Sequence, residues 1–278
     1  MNVKIFFLVA ALAASALAQK PGDNAALRYW SAFALMQQET VTPAKAKELN
    51  AILEGHAPYK DLEYRNLVQL NREALNTLER GAQLATCDWG IDYALGPEAP
   101  IDYARKALGL GRLNVLSVLH LLQTGQRAAA LQRLASGLRF SKHVAHGGSL
   151  FAALAAKSLM VSHLRAIAFA QSTEAPGLTS KEKALLLAVV DASDVDWRAA
   201  LRIEFDVALR PPTKEGSALA AQYLDALADP SRLAKLQRAI AEASRTLASR
   251  VPNPQRVLDE QRDLAGHRQR LRILLGAR

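Results

Sequence analysis

The chain has one cysteine, Cys87, in 278 residues. A lone thiol closes no internal disulfide, so stability must come from packing. Aromatic residues make up only 6% of the chain, and Val, Ile and Thr together number 31. Sheet-rich folds draw on β-branched and aromatic side chains, so an all-β sandwich or barrel is excluded. Acidic residues are also in deficit: 26 Asp and Glu stand against 35 Lys and Arg, for a formal net charge of +9. Several motifs are missing. The sequence holds no GxxxxGK[S/T] phosphate loop, no GxGxxG, no G-x-S-x-G elbow, no HExxH and no DxDxDG calcium loop. No catalytic signature remains, so the expectation is a non-enzymatic protein with no cofactor and no metal.

What the chain has in excess is 52 Ala and 45 Leu, about a third of all positions. Both are strong helix formers. Leucines recur at helical spacing, and short loops separate the apolar stripes. Asp23, Thr42-Pro43, Ser180 and Asp194 read as helix starts, and a single helix is expected from Leu62 to Ala85. Gly109 and Gly111 inside a helix from Pro100 to Gln123 predict a kink or a close helix contact. The expected fold is all-α. Its helices would form antiparallel hairpins, arranged as an irregular bundle or a short tetratricopeptide-like array. Gly125-Gln-Arg-Ala-Ala-Ala-Leu131 is similar to the glycine-then-alanine pattern of that repeat, although no clean 34-residue period runs through the chain.

The N-terminus reads as a signal peptide over residues 1–18. Lys4 supplies a positive start, Ile5 to Ala14 an apolar run too short to span a bilayer, and Ala16-Leu17-Ala18 a small-x-small cleavage site before Gln19. The expected address is the periplasm or the exterior. The next long apolar run, Leu150 to Ala170, is interrupted by Lys157, His163 and Arg165 and reads as a core helix. Residues 19–210 are expected to form a helical body, and residues 211–278 a basic C-terminal extension packed on or beside it, beginning at Pro211-Pro212.

Two segments carry a resemblance. Asn24-Ala-Ala-Leu-Arg-Tyr-Trp-Ser-Ala-Phe-Ala-Leu35 is one. Cys87-Asp-Trp-Gly-Ile-Asp92, followed by Gly96-Pro97 and an Ala/Leu helix, is the other. Together they resemble a set of uncharacterised, exported, all-helical bacterial proteins, over about residues 24 to 170. The resemblance implies fold and export, and no reaction.

Three constellations stand out as candidate sites. Cys87, Asp88, Trp89, Asp92, Tyr93, Glu98 and Asp102 crowd one irregular stretch. They read either as a ligand site with carboxylates and an aromatic wall, or as a packed connector that Trp89 anchors and Asp88 or Asp102 caps. The packed connector is the favoured reading. His143, His146 and His163 bring three imidazoles to neighbouring helices, but with no zinc motif they read as packed or solvated side chains. Gly147-Gly148-Ser149 opens a helix and reads as a turn, or as a weak anion site.

Beyond these three, charge makes a fourth candidate. Residues 232–278 hold eleven Lys and Arg and four Asp and Glu, a balance of +7, while residues 19–231 contribute only +1. Arg262, Arg268, Arg270 and Arg272 interleave with Leu264, Leu271, Ile273, Leu274 and Leu275. Such an end reads as a final helix packing its apolar stripe, or as a contact for an anionic membrane surface. The leading expectation is an exported scaffold or binding protein with a protein or peptide partner. A peripheral envelope protein comes second, and an enzyme using the Cys87–Asp102 loop third. Nucleic acid is not an expected partner for an exported protein.

Overall fold

A computed structural model describes residues 23–37, 42–172, 177–208 and 213–277. The expected signal segment, the Pro211-Pro212 boundary and Arg278 lie outside the described residues. Among those described, the chain is all-α, with no strand and one isolated backbone bridge between Asn24 and Thr86. The helices are α1 (Ala25–Leu35), α2 (Pro43–Leu53), α3 (Asp61–Leu70), α4 (Arg72–Ala82), α5 (Asp102–Gln123), α6 (Arg127–Ala145) and α7 (Leu150–Ser172). They continue as α8 (Ser180–Ala192), α9 (Trp197–Ala208), α10 (Lys214–Ala228), α11 (Leu233–Glu242), the four-residue α12 (Arg245–Ala248) and α13 (Pro254–Leu275). Two 3-10 turns, Tyr93–Glu98 and Pro230–Arg232, complete the set.

The helix starts follow hydrogen-bond reach. Thr42 caps α2 ahead of Pro43, as expected. Elsewhere the cap sits one or two residues from the expected position. Asn24, not Asp23, accepts from the Ala26 amide at the start of α1. Thr179, not Ser180, opens α8 in a reciprocal capping box with Glu182. Asp196, not Asp194, accepts from the Ala199 amide at 2.9 Å and opens α9. A cap needs a side-chain oxygen that meets the second or third helical amide, so polarity alone locates it only approximately.

The larger departure is at Asn71, which divides the single helix expected from Leu62 to Ala85 into α3 and α4. Asn71 is fully buried. Its amide donates to the carbonyls of Leu67 (2.9 Å) and Gln37 (3.0 Å), and its oxygen accepts from the Gln37 amide at 2.8 Å. The side chain thus satisfies the chain leaving α1, and that exchange offsets the interrupted helix.

α5, α6 and α7 pack on one another and form the centre; α1 lies on α4, and α4 on α6. Small residues permit the approach. A Cβ at Gly111 would stand 2.4 Å from a Leu159 methyl, so the glycine pair in α5 marks a close helix contact, and the helix runs through it unbroken. Ala152, Ala153, Ala155 and Ala156 are buried along α7. That helix is the one described element long and apolar enough to cross a membrane, yet 67% of its most apolar stretch is buried inside the protein. α13 packs on α7 and α8 through buried Val257, Leu258, Leu264, Leu271 and Leu275, so the basic C-terminal segment rests on the body.

Candidate functional site

The Cys87–Asp102 stretch is strapped to α1. The Asn24 side chain behaves as a short piece of backbone: its oxygen accepts from the Asp88 amide (2.9 Å) and its nitrogen donates to the Asp88 carbonyl (2.8 Å). Ala25 donates to the Thr86 carbonyl, and the Thr86 hydroxyl donates to that of Asp23. Between these ties Trp89 turns inward. It is 7% exposed, stacks on Tyr103 at 4.3 Å between ring centres, and lies against Tyr29, Phe33 and Trp30. Its indole nitrogen donates to the His143 carbonyl at 2.8 Å. Gly90 carries the positive φ of 66° that the turn away from Trp89 requires.

Asp88 and Asp92 are used within the stretch itself. One Asp88 carboxylate oxygen accepts from the Gly90 amide at 2.9 Å, and Asp92 accepts from the Ala94 amide at 2.8 Å. Asp102 is exposed on the first turn of α5, where a carboxylate favours the helix dipole, but it makes no capping hydrogen bond. The Glu98 side chain lies outside the described residues. Cys87 is buried, and burial, aided by the Asp88 charge, pushes its thiol up to about 12. Burial of this kind disfavours the thiolate, the form in which a cysteine attacks or ligates. A cleft of about 590 Å³ beside it is lined by Arg139, Lys142, His143 and His146. It sits at the C-terminal ends of α4, α6 and α8, where cationic side chains offset the carbonyl dipoles.

The three imidazoles do not converge on a metal position. The Tyr29 hydroxyl meets the His143 Nδ1 at 2.7 Å, and burial, reinforced by His146, Lys142 and Arg139, pulls His143 down to about 4. In the neutral ring Nδ1 accepts from the Tyr29 hydroxyl when the proton is on Nε2 and donates to it when the proton is on Nδ1. His163 is fully buried: Nδ1 donates to the Leu159 carbonyl at 2.7 Å and Nε2 faces the Asn114 amide at 3.0 Å. Both ring nitrogens are occupied. A neutral ring donating at Nδ1 accepts at Nε2, which is satisfied when the Asn114 amide turns its nitrogen inward. Among the described residues no group of three His, Cys, Asp or Glu could hold a metal ion.

The start of α7 is filled from within the chain. The Leu150 amide donates to Glu204 at 3.3 Å and the Ser149 amide to the Tyr93 hydroxyl at 3.1 Å. The anion at this helix start is thus a carboxylate of α9. The C-terminal arginines divide. Arg268 donates to the Val190 and Asp191 carbonyls at the end of α8 and pairs with Asp194 at 3.0 Å. Arg272 pairs with Asp191 at 3.1 Å, Arg262 makes only a long exposed contact of 3.6 Å with Asp259, and Arg270 is exposed. The four therefore do not form one continuous cationic face.

A different site lies along α7. Two cavities, of about 320 and 330 Å³, lie side by side along α7 with Leu53, Ser162 and Arg165 between them, and together they are called the trough. Each has the size of a small ligand pocket. One end is apolar, walled by Ile52, Tyr59, Val115, Leu119, Ala166 and Phe169. The other is polar, with Arg112, Arg165, Arg256, Lys157, Glu260 and Asp263. Lys157 bonds both Glu260 (2.7 Å) and Asp263 (2.5 Å), so one ammonium holds both carboxylates and offsets one of their two charges. No hydrogen bond or ion pair to the guanidinium groups of Arg112, Arg165 or Arg256 forms among the described residues. Arg165 stands where the two ends meet, half-buried.

Sequence reasoning missed this trough, although a signal was present. Lys157, His163 and Arg165 interrupt the same apolar run, and each has a separate reason. Lys157 ties α13 to α7, His163 bonds within the core, and Arg165 lines the trough. No family model, no curated protein and no solved structure matches the chain.

Proposed function

We propose that the protein is an exported, non-enzymatic binding protein that holds a small ligand in the trough along α7. The observation that carries this reading is the trough itself: a cavity with one apolar end and one arginine end, whose guanidinium groups form no ion pair among the described residues. A half-buried Arg without a carboxylate loses hydration and regains little inside the chain, so a bound anion would repay it. Export rests on the leader pattern of residues 1–18 and on the resemblance to exported helical proteins. The non-enzymatic reading is supported by the absence of a catalytic motif in the sequence and by the connector, where Cys87 is buried and Asp88 and Asp92 bond nearby backbone amides.

The test is direct. Protein recovered from its producing cells without detergent is washed, unfolded in solvent, and the extract analysed by mass spectrometry. The reading expects one retained small molecule in near-stoichiometric amount, and its release when Arg165→Gln protein is prepared in the same way. Native protein that carries no small molecule and takes up none from a cell extract would overturn it.

A further inference from the structure

We infer that the ligand of the α7 trough is an anionic amphiphile: a single short apolar chain bearing a carboxylate or phosphate head. This rests on the binding reading above and adds the chemical class. The two ends of the trough differ in what they solvate. Val115 and Ala166 are buried, and Tyr59 and Phe169 flank them, so that end removes methylene groups from water and offers a head group little. The other end has three guanidinium groups, Arg165 half-buried and Arg112 and Arg256 exposed at the rim, and its acids Glu260 and Asp263 are bonded to Lys157. A planar guanidinium binds carboxylate or phosphate oxygens in pairs and repels cationic heads. Arg165 lines both cavities, so a head group placed there lets the chain enter the apolar end without a gap. At about 320 Å³ the apolar end suits one chain rather than a two-chain lipid.

The wider positive balance agrees with this choice. Only Glu54 adds a further carboxylate to the trough lining, and it contacts His56 at 3.3 Å. The neighbouring Asp263 feels the Arg165 charge without pairing to it. A neutral amphiphile would gain the apolar end and leave the guanidinium groups where they are. A cationic one would meet net repulsion. A carboxylate-headed and a phosphate-headed amphiphile share the required chemistry and are separate arms of the test.

Isothermal titration of the mature protein, below each probe's micelle concentration, uses decanoate, decanoyl lysophosphatidate, monodecanoyl glycerol and decyltrimethylammonium. We expect one-to-one binding of both anions, roughly tenfold or more weaker binding of the neutral glyceride, and none of the cation. Arg165→Gln should weaken the anions roughly tenfold and leave the glyceride unchanged. Lengthening the carboxylate from eight to ten carbons should tighten binding by about fourfold per methylene, reading the apolar end with no variant at all. Tighter binding of one anion than the other identifies the head group. Equal affinity for anion and glyceride, unmoved by Arg165→Gln in protein with an unchanged melting transition, would overturn the ligand class. If none of the four probes binds while native protein still yields a stoichiometric extracted molecule, the class fails and the binding reading stands. If both experiments are negative, both fail.

Discussion

The connector around Trp89 and the trough along α7 both gather unusual side chains, and they treat them in opposite ways. Around Trp89 the indole nitrogen, the Asp88 and Asp92 carboxylates and the Asn24 amide bond to nearby backbone, and the rings stack on each other. Along the trough Lys157 is spent on two acids, but three arginines are not spent within the described chain. A cluster whose polar groups are satisfied from within is structural. One whose charges are left over has room for a ligand. Residue types left the first open as a ligand site beside the favoured reading of a packed connector, and partner accounting turns attention to the second.

The sharpest way to break this contrast is to truncate Trp89. Trp89→Ala removes a buried indole that touches Tyr29, Tyr103 and Phe33, and deletes the hydrogen bond to the His143 carbonyl. The expected loss is about 3–5 kcal/mol, read as a lower urea midpoint. The protein that remains folded should bind trough ligands with unchanged affinity. Full stability together with loss of a ligand would make the connector a site after all.

Acidity acts on the buried imidazoles next. Burial holds His143 and His163 down to about 4 in the folded protein. An unfolded imidazole titrates near 6.5, so below that pH the unfolded chain binds protons that the folded chain refuses. Their stabilisation is therefore present above about pH 6.5 and fades as pH falls toward 4, by up to ~3 kcal/mol for each ring. Glu204 works the other way, because burial raises its carboxyl and favours the protonated folded form at low pH. The prediction is a fall in the urea midpoint from pH 7 to 4.5, made shallower by His163→Gln. A flat profile over that range would show that these rings do not govern the response.

How much of this was legible follows from the range of the interactions. The all-α class came from composition and period, which are local. Thr42-Pro43 and the Gly109–Gly111 close contact were legible for the same reason. The Asn71 break was not, because the partner that settles it, Gln37, lies 34 residues away on another element. Trp89 could be read as an anchor, but its hydrogen bond crosses 54 residues to His143. The trough draws on α2, α5, α7 and α13 at once, and nothing local to Arg165 foretells that α13 gives its two acids to Lys157.

The C-terminal arginines give the smallest and finest test of the same rule. Arg268 holds two terminal carbonyls of α8 and an Asp194 carboxylate, whereas Arg262 makes one long contact in an exposed pair. Helix-end carbonyls lack internal partners, so a cation there is worth more than one in a solvated pair. Arg268→Ala should therefore cost about 1–2 kcal/mol, and Arg262→Ala less than ~0.5 kcal/mol. If α13 were instead built to hold an anionic membrane, vesicle sedimentation at low salt would respond most to Arg262, because its charge is the more exposed of the two. Stability tracking Arg268, with sedimentation indifferent to both, would place this helix with the connector as structure.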